Sequence, residues 1–369
     1  MTPKRAAPFK LDERSGEPPV LHDIASSSWE HPADRAALQT LKAIPAIDQL
    51  LEKCTGFLGE RGIRALFQAN AVRVGPAQFP ILHRLFADAR STLDWRDDVD
   101  LFVSQNPGFN AGAYGIERPF IVLHSATVDR LGEPELRVLL GHELGHIISG
   151  HTLYRTMLQL MLMVGFRHLP FLAGTALLPI RLSMLEWSRT SELSCDRAGL
   201  LVAHDRDDAL RLLMKSAGGT LGGQHVMSLE AYKEQVADYE LADGIEGAFK
   251  LLKLLDQTHP FHTMRAAELM RWSQSPDYAA IRRGEYTRRS ERPAWVNPIP
   301  DIGSAAEHYA GHAKNLASEL SSSTQKVAGQ ASSYARRVMG DALTAARNTA
   351  ANLGTRRASK ASDDDEPKG

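Results

Sequence analysis

Two histidines lie four residues apart in the stretch Leu140-Gly141-His142-Glu143-Leu144-Gly145-His146-Ile147. On an α-helix this spacing separates two side chains by about 40° around the axis, so both imidazoles can reach one metal ion. Glu143 lies beside them, within reach of a metal-bound water but not spaced to be the third ligand. Zinc lowers the pKa of such a water towards about 7, and a glutamate can then take its proton. The stretch therefore predicts zinc-dependent hydrolysis.

The motif belongs to a predicted helix with mostly apolar neighbours. Pro134 suits the first turn of that helix, and Gly150 suits its end. Thr152 stands where one class of zinc enzymes has a third histidine. His151 lies about 180° around the helix from His142, which makes it a poor ligand if the helix continues. The third ligand must therefore come from another part of the chain.

The best candidate for this ligand lies on a second predicted helix, over residues 182–204. Glu192 and Asp196 are four residues apart there and share a face with the small residues Cys195 and Gly199, which would let two helices approach closely. We expect Glu192 to bind the metal and Asp196 to accept the second ring N–H of a ligating histidine. Alone, this spacing is more often a solvated face. Its place some fifty residues after the first motif makes it the leading candidate.

A third motif begins at His259-Pro260 and continues to Arg265. Pro260 keeps His259 out of helical geometry and starts a helix, so the imidazole projects from a fixed junction. His259 could donate to a developing oxyanion, and Arg265 could pair with Asp196. In isolation the motif would more often be a capping histidine and a surface arginine.

Composition limits the other function classes. The chain has 369 residues, two cysteines and a net charge of -1. A disulfide framework and a cysteine-rich zinc site are excluded, and the charge gives no reason to expect nucleic acid. Any metal must therefore be held by histidines and carboxylates.

The pattern along the chain predicts a mainly helical α+β fold with a small sheet. Strand-like runs lie at 71–74, 99–103, 109–114 and 119–123, and helical patterns dominate after them. We expect a poorly ordered arm over residues 1–35, one catalytic domain over 36–290, and an Ala- and Ser-rich, partly helical tail over 291–369.

The three motifs, in this order and spacing, resemble the M48 family of zinc metallopeptidases. The resemblance covers about residues 65–285 and implies a gluzincin-type zincin site: one Zn²⁺ per chain on His142, His146 and Glu192, with Glu143 as general base and acid. His151 also fits, because the family often has a histidine shortly after its zinc-binding helix. The implied function is a metalloendopeptidase that acts on polypeptides.

The resemblance also implies how a substrate binds. In this family a peptide is expected to lie as an added strand against an edge strand, here near Asn110, Ala111 and Gly112. Main-chain pairing of this kind tolerates many sequences, so we expect broad or unfolded-chain preference.

The apolar stretch 157–181 is interrupted by Arg167, His168 and Pro170, and neither half exceeds about a dozen uncharged residues, short of the roughly 20 that a membrane span needs. It forms either a buried helical hairpin over the site or an element that dips into a membrane surface, where Arg155, Arg167 and Arg181 could reach head groups. No secretory signal is evident, so we expect a cytoplasmic location, with membrane association as an alternative. The oligomeric state is not indicated.

Two other functions stay open at this point. One is a metal-bound, chaperone-like scaffold in which cleavage is slow or absent, although the intact Glu143 is hard to explain in a pure scaffold. The other keeps the metal chemistry but acts on a non-peptide amide or ester, for which the sequence has no specific signal.

Overall fold

The structure, a computed structural model, describes residues 20–42, 59–164, 177–219, 227–241 and 260–291, all within one compact unit. Its helices are α1 (Pro32–Lys42), α2 (Pro80–Thr92), α3 (Ser125–Arg130), α4 (Glu133–Ile148), α5 (Thr152–Val164), α6 (Leu177–Ala203), α7 (Arg206–Gly218), α8 (Leu229–Leu241), α9 (His262–Ser273) and α10 (Pro276–Arg282). Residues 59–68 are also helical, and short 3₁₀ turns lie at Ser26–Ser28 and Arg289–Glu291. The strands are β1 (Ala71–Arg73), β2 (Asp100–Ser104), β3 (Ala111–Tyr114) and β4 (Phe120–His124). The mainly helical α+β class is confirmed.

The four strands form one mixed sheet in the order β1-β2-β4-β3. β1 and β2 are antiparallel, β2 and β4 are parallel, and β3 and β4 are antiparallel. Among the described strands, β3 is therefore at an edge. Its end is tied to α5, because the Gly115 amide donates to the Thr156 hydroxyl at 2.9 Å.

Alternation of side chains along the central strands separates two apolar clusters. Leu101, Val103, Ile121 and Leu123 belong to the main core, together with the apolar faces of α2, α4, α6 and α7. The intervening residues belong to a smaller cluster on the other face of the sheet, made of Phe102, Phe120 and Val122 with Phe67 and Tyr114. This period of two is what a strand pattern predicts.

Helices α4 and α6 pack closely because glycines line their contact. A Cβ atom on Gly145 would lie 2.7 Å from the Cβ of Ala198, and one on Gly199 would lie 2.8 Å from the carbonyl oxygen of Val138. Any larger side chain would push the two helices apart. The predicted close approach at Gly199 is thus observed, and it brings the two metal motifs face to face.

The N-terminal segment differs from the predicted disordered arm. Residues 1–19 lie outside the described part, but Ile24 and Trp29 are fully buried in the core, and α1 begins at Pro32. The backbone of this segment also bonds to the end of the domain, where the Ala25 amide donates to the Thr287 carbonyl at 2.9 Å. The reason is burial of large apolar side chains that a Pro- and charge-rich composition conceals.

Two other predicted segments are only partly described. The tail 291–369 lies outside the described residues apart from Glu291, and so do residues 165–176 of the apolar stretch. In the parts of the chain that the structure describes, no helix is both long and apolar enough to cross a membrane.

Candidate metal centre

Three side chains from the two paired helices converge at one buried point. His142 and His146 come from α4 and Glu192 from α6. The two Nε2 atoms are 3.2 Å apart, and the nearest Glu192 oxygens lie 3.5 Å from His142 Nε2 and 3.4 Å from His146 Nε2. Ligands of tetrahedral zinc are about 3.3–3.5 Å from one another, given Zn–N and Zn–O bonds of about 2.0–2.2 Å. The donor set and its spacing therefore fit zinc.

A guanidinium group contacts these candidate metal-ligand atoms. Arg155 Nη1, from α5, lies 2.9 Å from His146 Nε2 and donates to Glu192 Oε1 at 2.6 Å. The site thus attracts a cation, which is the electrostatic character that a metal centre needs. One of the two alternatives that the sequence left open for the stretch 157–181 let Arg155 reach membrane head groups; instead its side chain is only 10% exposed and points into the site. Arg155 belongs to none of the three sequence motifs, so sequence reasoning had no indication of this contact.

The pKa values of the two histidines differ. Burial lowers the pKa of His142, but hydrogen bonds to Asp196 and Glu192 outweigh burial and raise it to about 9. Burial and the neighbouring Arg155 guanidinium hold the pKa of His146 well below its usual value. His146 is therefore neutral, whereas an ion that binds His142 must displace a proton.

Glu143 lies next to this point with an unsatisfied carboxylate. It is buried and lines the same cavity as His142 and Glu192. Its Oε2 atom has no hydrogen-bond partner among the described residues. Burial raises the pKa of this carboxyl group, although the positive charges of His142 and Arg155 oppose the rise. Such a group is suited to accept and return a proton.

Behind the site, Asp196 and Arg265 form a buried, bidentate pair. Arg265 Nε donates to Asp196 Oδ2 at 2.8 Å, and Arg265 Nη2 donates to Asp196 Oδ1 at 2.6 Å. Asp196 Oδ1 also accepts from His142 Nδ1 at 3.1 Å. Burial would raise the pKa of Asp196, but Arg265 lowers it below its usual value. Asp196 is thus an ionised acceptor that holds the His142 ring with Nε2 towards the candidate metal position.

The site opens into a cavity of about 350 Å³ beside the edge strand. Its wall combines Asn110, Ala111, Glu143 and Arg155 with apolar side chains from Phe109, Leu139, Leu212 and Leu213. A cleft lined by apolar side chains together with a few polar and charged groups is typical of a substrate site.

The edge of β3 that pairs with no other described strand presents particular backbone groups. The Asn110 carbonyl accepts from the His124 amide at 3.1 Å, so Asn110 faces β4. Because antiparallel residues alternate in direction, the N–H and C=O groups of Ala111 and Ala113 point away from β4. The Ala111 amide donates to Asn110 Oδ1 at 2.9 Å. Gly112, in contrast, faces β4, and its lack of a Cβ leaves room for the Tyr114 side chain.

The third motif is described only in part. His259 lies outside the described residues, so its role stays a prediction. His262, three residues later at the start of α9, lines the cavity beside Arg265. Sequence reasoning did not select His262, although the same His-Pro-Phe-His run contains it. The Tyr114 phenol is also close to the charged groups of the site, and burial raises its pKa to about 12.

Two comparisons with known proteins bear on this arrangement. The sequence model of peptidase family M48 matches residues 76–273, which include all of α4, α6 and α9. The chain is also 30% identical over 287 residues to an Arabidopsis thaliana protein named plastoglobule-localized metallopeptidase 48, chloroplastic, with 76% of this chain and 81% of the relative covered. The match spans more than half of the chain and contains the complete His-Glu-x-x-His helix. The chain therefore belongs to peptidase family M48 and is a metallopeptidase, a hydrolase of peptide bonds.

Proposed function

We propose that the protein is a zinc-dependent endopeptidase in which His142, His146 and Glu192 hold the ion and Glu143 is the general base. The observation that carries this proposal is a buried Glu143 oxygen that has no hydrogen-bond partner among the described residues and lies in a cavity shared with ligand atoms at tetrahedral spacing. When bound, zinc supplies a Lewis acid that makes water acidic enough to ionise near neutral pH.

The remaining steps follow from the side chains of this chain. Glu143 takes a proton from the attacking water and then gives it to the nitrogen of the leaving peptide. Burial raises its pKa, which makes the carboxylate a stronger proton acceptor than a solvent-exposed glutamate. Arg265 holds Asp196, and Asp196 fixes the proton of His142 on Nδ1, so that Nε2 offers its lone pair.

We propose that the substrate binds as an extended strand along β3. The outward amide and carbonyl groups of Ala111 and Ala113 would pair with its backbone, and Asn110 would give up its own contact with the Ala111 amide. The apolar wall at Leu139, Leu212 and Leu213 would accept an apolar side chain next to the cleaved bond. His259 and His262 are candidates to donate to the oxyanion that forms during attack.

Location is a separate part of the proposal. The Arabidopsis relative is named for plastoglobules of the chloroplast. Together with the apolar stretch 157–181, this name supports peripheral membrane contact over a purely cytoplasmic location. Membrane contact can be tested by comparing the membrane-bound fractions of the wild-type protein and of a variant with a polar residue at the exposed position Leu162.

The substitution Glu143→Gln tests the mechanism. We expect hydrolysis of denatured casein to fall by about 10²–10⁴-fold, because acid–base catalysis typically contributes that much, while one zinc per chain is retained. Glu133→Gln is the matched control, since Glu133 lies on the same helix but is exposed and pairs with Arg84. Unchanged hydrolysis by Glu143→Gln, or wild-type protein without bound zinc, would refute the proposal.

A further inference from the structure

A buried chain of polar side chains continues behind His146, on the side away from the cavity. His146 Nδ1 lies 3.1 Å from His151 Nδ1, and His151 Nε2 lies 3.2 Å from Asp34 Oδ2. Asp34 belongs to α1, which packs along α6. The three side chains are almost completely inaccessible to solvent. Water therefore does not compete for these contacts, and their donors and acceptors must match one another.

Asp34 determines which atoms donate and which accept in the hydrogen bonds that link these three side chains. Asp34 is a carboxylate and can only accept, so His151 Nε2 carries the proton that faces it. His151 Nδ1 is then an acceptor, and the His146 nitrogen opposite must be the donor. With its proton on Nδ1, His146 has its lone pair on Nε2, the atom that faces Glu192 and His142.

Asp34 and His151 each have a further contact outside this series of hydrogen bonds. The Ser194 hydroxyl donates to Asp34 Oδ2 at 2.6 Å and accepts from the His31 amide at 2.9 Å. His151 is further held by the ring of Trp187, whose centroid lies 5.6 Å away at 83°. Both contacts lie outside the cavity, and neither belongs to the series of hydrogen bonds that runs from Asp34 through His151 to His146.

We infer that Asp34 is a positioning residue for the metal centre and acts on His146 through His151. This inference rests on the proposed ligation by His146. Asp34 lies outside residues 76–273, the part that matches the family model, so the N-terminal helix completes the site. The same hydrogen bonds account for a second group of close side chains, His146, His151 and Cys195. The two imidazoles are hydrogen-bonded to each other, and Cys195 Sγ is 3.7 Å from His151 Nδ1.

The substitution Asp34→Asn tests this role, because it removes the charge and keeps the shape. The affinity for zinc is measured in full-length protein by competition with a chromophoric chelator. We expect affinity to fall by about 10–100-fold, the usual effect of losing the partner of a metal-ligating histidine. The visible spectrum of the Co²⁺-loaded protein should also shift, because the basicity of His146 changes. A role limited to packing would move neither quantity.

Two more variants complete the design. Ser194→Ala removes the other partner of Asp34 Oδ2 but leaves the His146–His151–Asp34 chain intact, so we expect zinc affinity within about threefold of wild type. His151→Phe breaks the chain, keeps the ring contact with Trp187, and carries the test if Asp34→Asn does not fold. The double variant of Asp34→Asn and His151→Phe should lose no more affinity than the more severe single change, since both act through one atom.

The possible results separate the two proposals. Wild-type protein that binds no zinc refutes the metal centre itself. Wild-type protein that binds zinc, together with Asp34→Asn affinity within about threefold of it, refutes the role of Asp34 alone. Equal losses in Asp34→Asn and Ser194→Ala also refute it, because they would reflect general disruption of the α1–α6 contact.

Discussion

Arg155 contacts the same nitrogen and oxygen atoms that a zinc ion would bind, so the guanidinium group competes with zinc for them. Its Nη1 atom lies against both His146 Nε2 and Glu192 Oε1. Zinc must displace these contacts, and a hydrogen bond between charged groups contributes about 1.5–3 kcal/mol. We therefore expect Arg155→Met to tighten zinc binding by about tenfold or more, measured by chelator competition.

The matched control for Arg155 is Gln159→Met, on the next turn of the same helix. Gln159 lines a smaller neighbouring cavity together with Arg155 and Leu158. We expect no change in zinc affinity from this variant. If Arg155→Met weakened zinc binding instead, the guanidinium would be a support of the loaded site and not a competitor.

The side chains of the site were predictable to different degrees. His142 and His146 follow from helical periodicity, because a four-residue spacing places both on one face. Glu192 and Asp196 could be predicted only from their position after the His-Glu-x-x-His motif and from the resemblance to a known family. Arg155 and Asp34 carry no local pattern, since their contacts depend on how separate helices pack in three dimensions. Spacing along the chain does not encode such contacts.

The contact between α4 and α6 predicts a steric limit at Gly145. An added Cβ would lie 2.7 Å from the Cβ of Ala198, so the helices must separate. We expect Gly145→Ala to lower the free energy of unfolding by about 1–3 kcal/mol, as overpacking usually does, despite its better helix propensity. Urea denaturation of the variant measures this change.

An exposed helical glycine provides the comparison for Gly145. Gly218→Ala, at the end of α7, adds the same methyl group in contact with solvent. We expect it to leave the free energy of unfolding unchanged or slightly higher. Equal effects of the two substitutions would show that the contact between α4 and α6 has room for a side chain.

If the substrate adds as a strand to β3, hydrolysis should depend on every second backbone amide of the peptide. Outward groups occur at every second residue of β3, at Ala111 and Ala113, so only alternate amides of a bound peptide can pair with them. A series of peptides with one N-methyl group each should lose kcat/KM at alternate positions. We expect losses of about 3–10-fold per position, from hydrogen bonds of about 0.5–1.5 kcal/mol.

The peptides of the same series with N-methyl groups at intervening positions are the controls. They should be cleaved like the parent peptide, because those amides point to solvent. Losses confined to the bond next to the cleavage point would contradict strand addition.

The elements were easier to predict than their arrangement. All four strands and the α4 and α6 helices lie within a few residues of their predicted bounds, because period and turn residues mark them. The parallel pairing of β2 with β4 was not predictable, since it depends on a connection through β3. The N-terminal segment shows a related limit. Trp29 and Ile24 are isolated apolar residues in polar sequence, and only their burial against the core reveals their role.

His204 couples the stability of the fold to pH. It follows α6 with a φ of 59°, and neither ring nitrogen has a hydrogen-bond partner in the described part of the chain. Burial, with Arg282 and Arg137 nearby, lowers its pKa to about 4 from 6.5. Between these values the unfolded chain binds more protons than the folded one, so stability falls as the pH drops through this window.

The substitution His204→Asn should remove that part of the pH dependence. Asparagine tolerates the left-handed backbone at this position, so the change isolates the titration. In wild-type protein we expect His204 to account for about 1–2 kcal/mol of the stability lost between about pH 7 and pH 5, after allowance for its partial exposure. Urea unfolding at both pH values should show a smaller difference for His204→Asn than for wild type. His83→Asn, on the exposed face of α2, should behave like wild type. An unaltered pH difference in His204→Asn would assign the acid sensitivity to other groups.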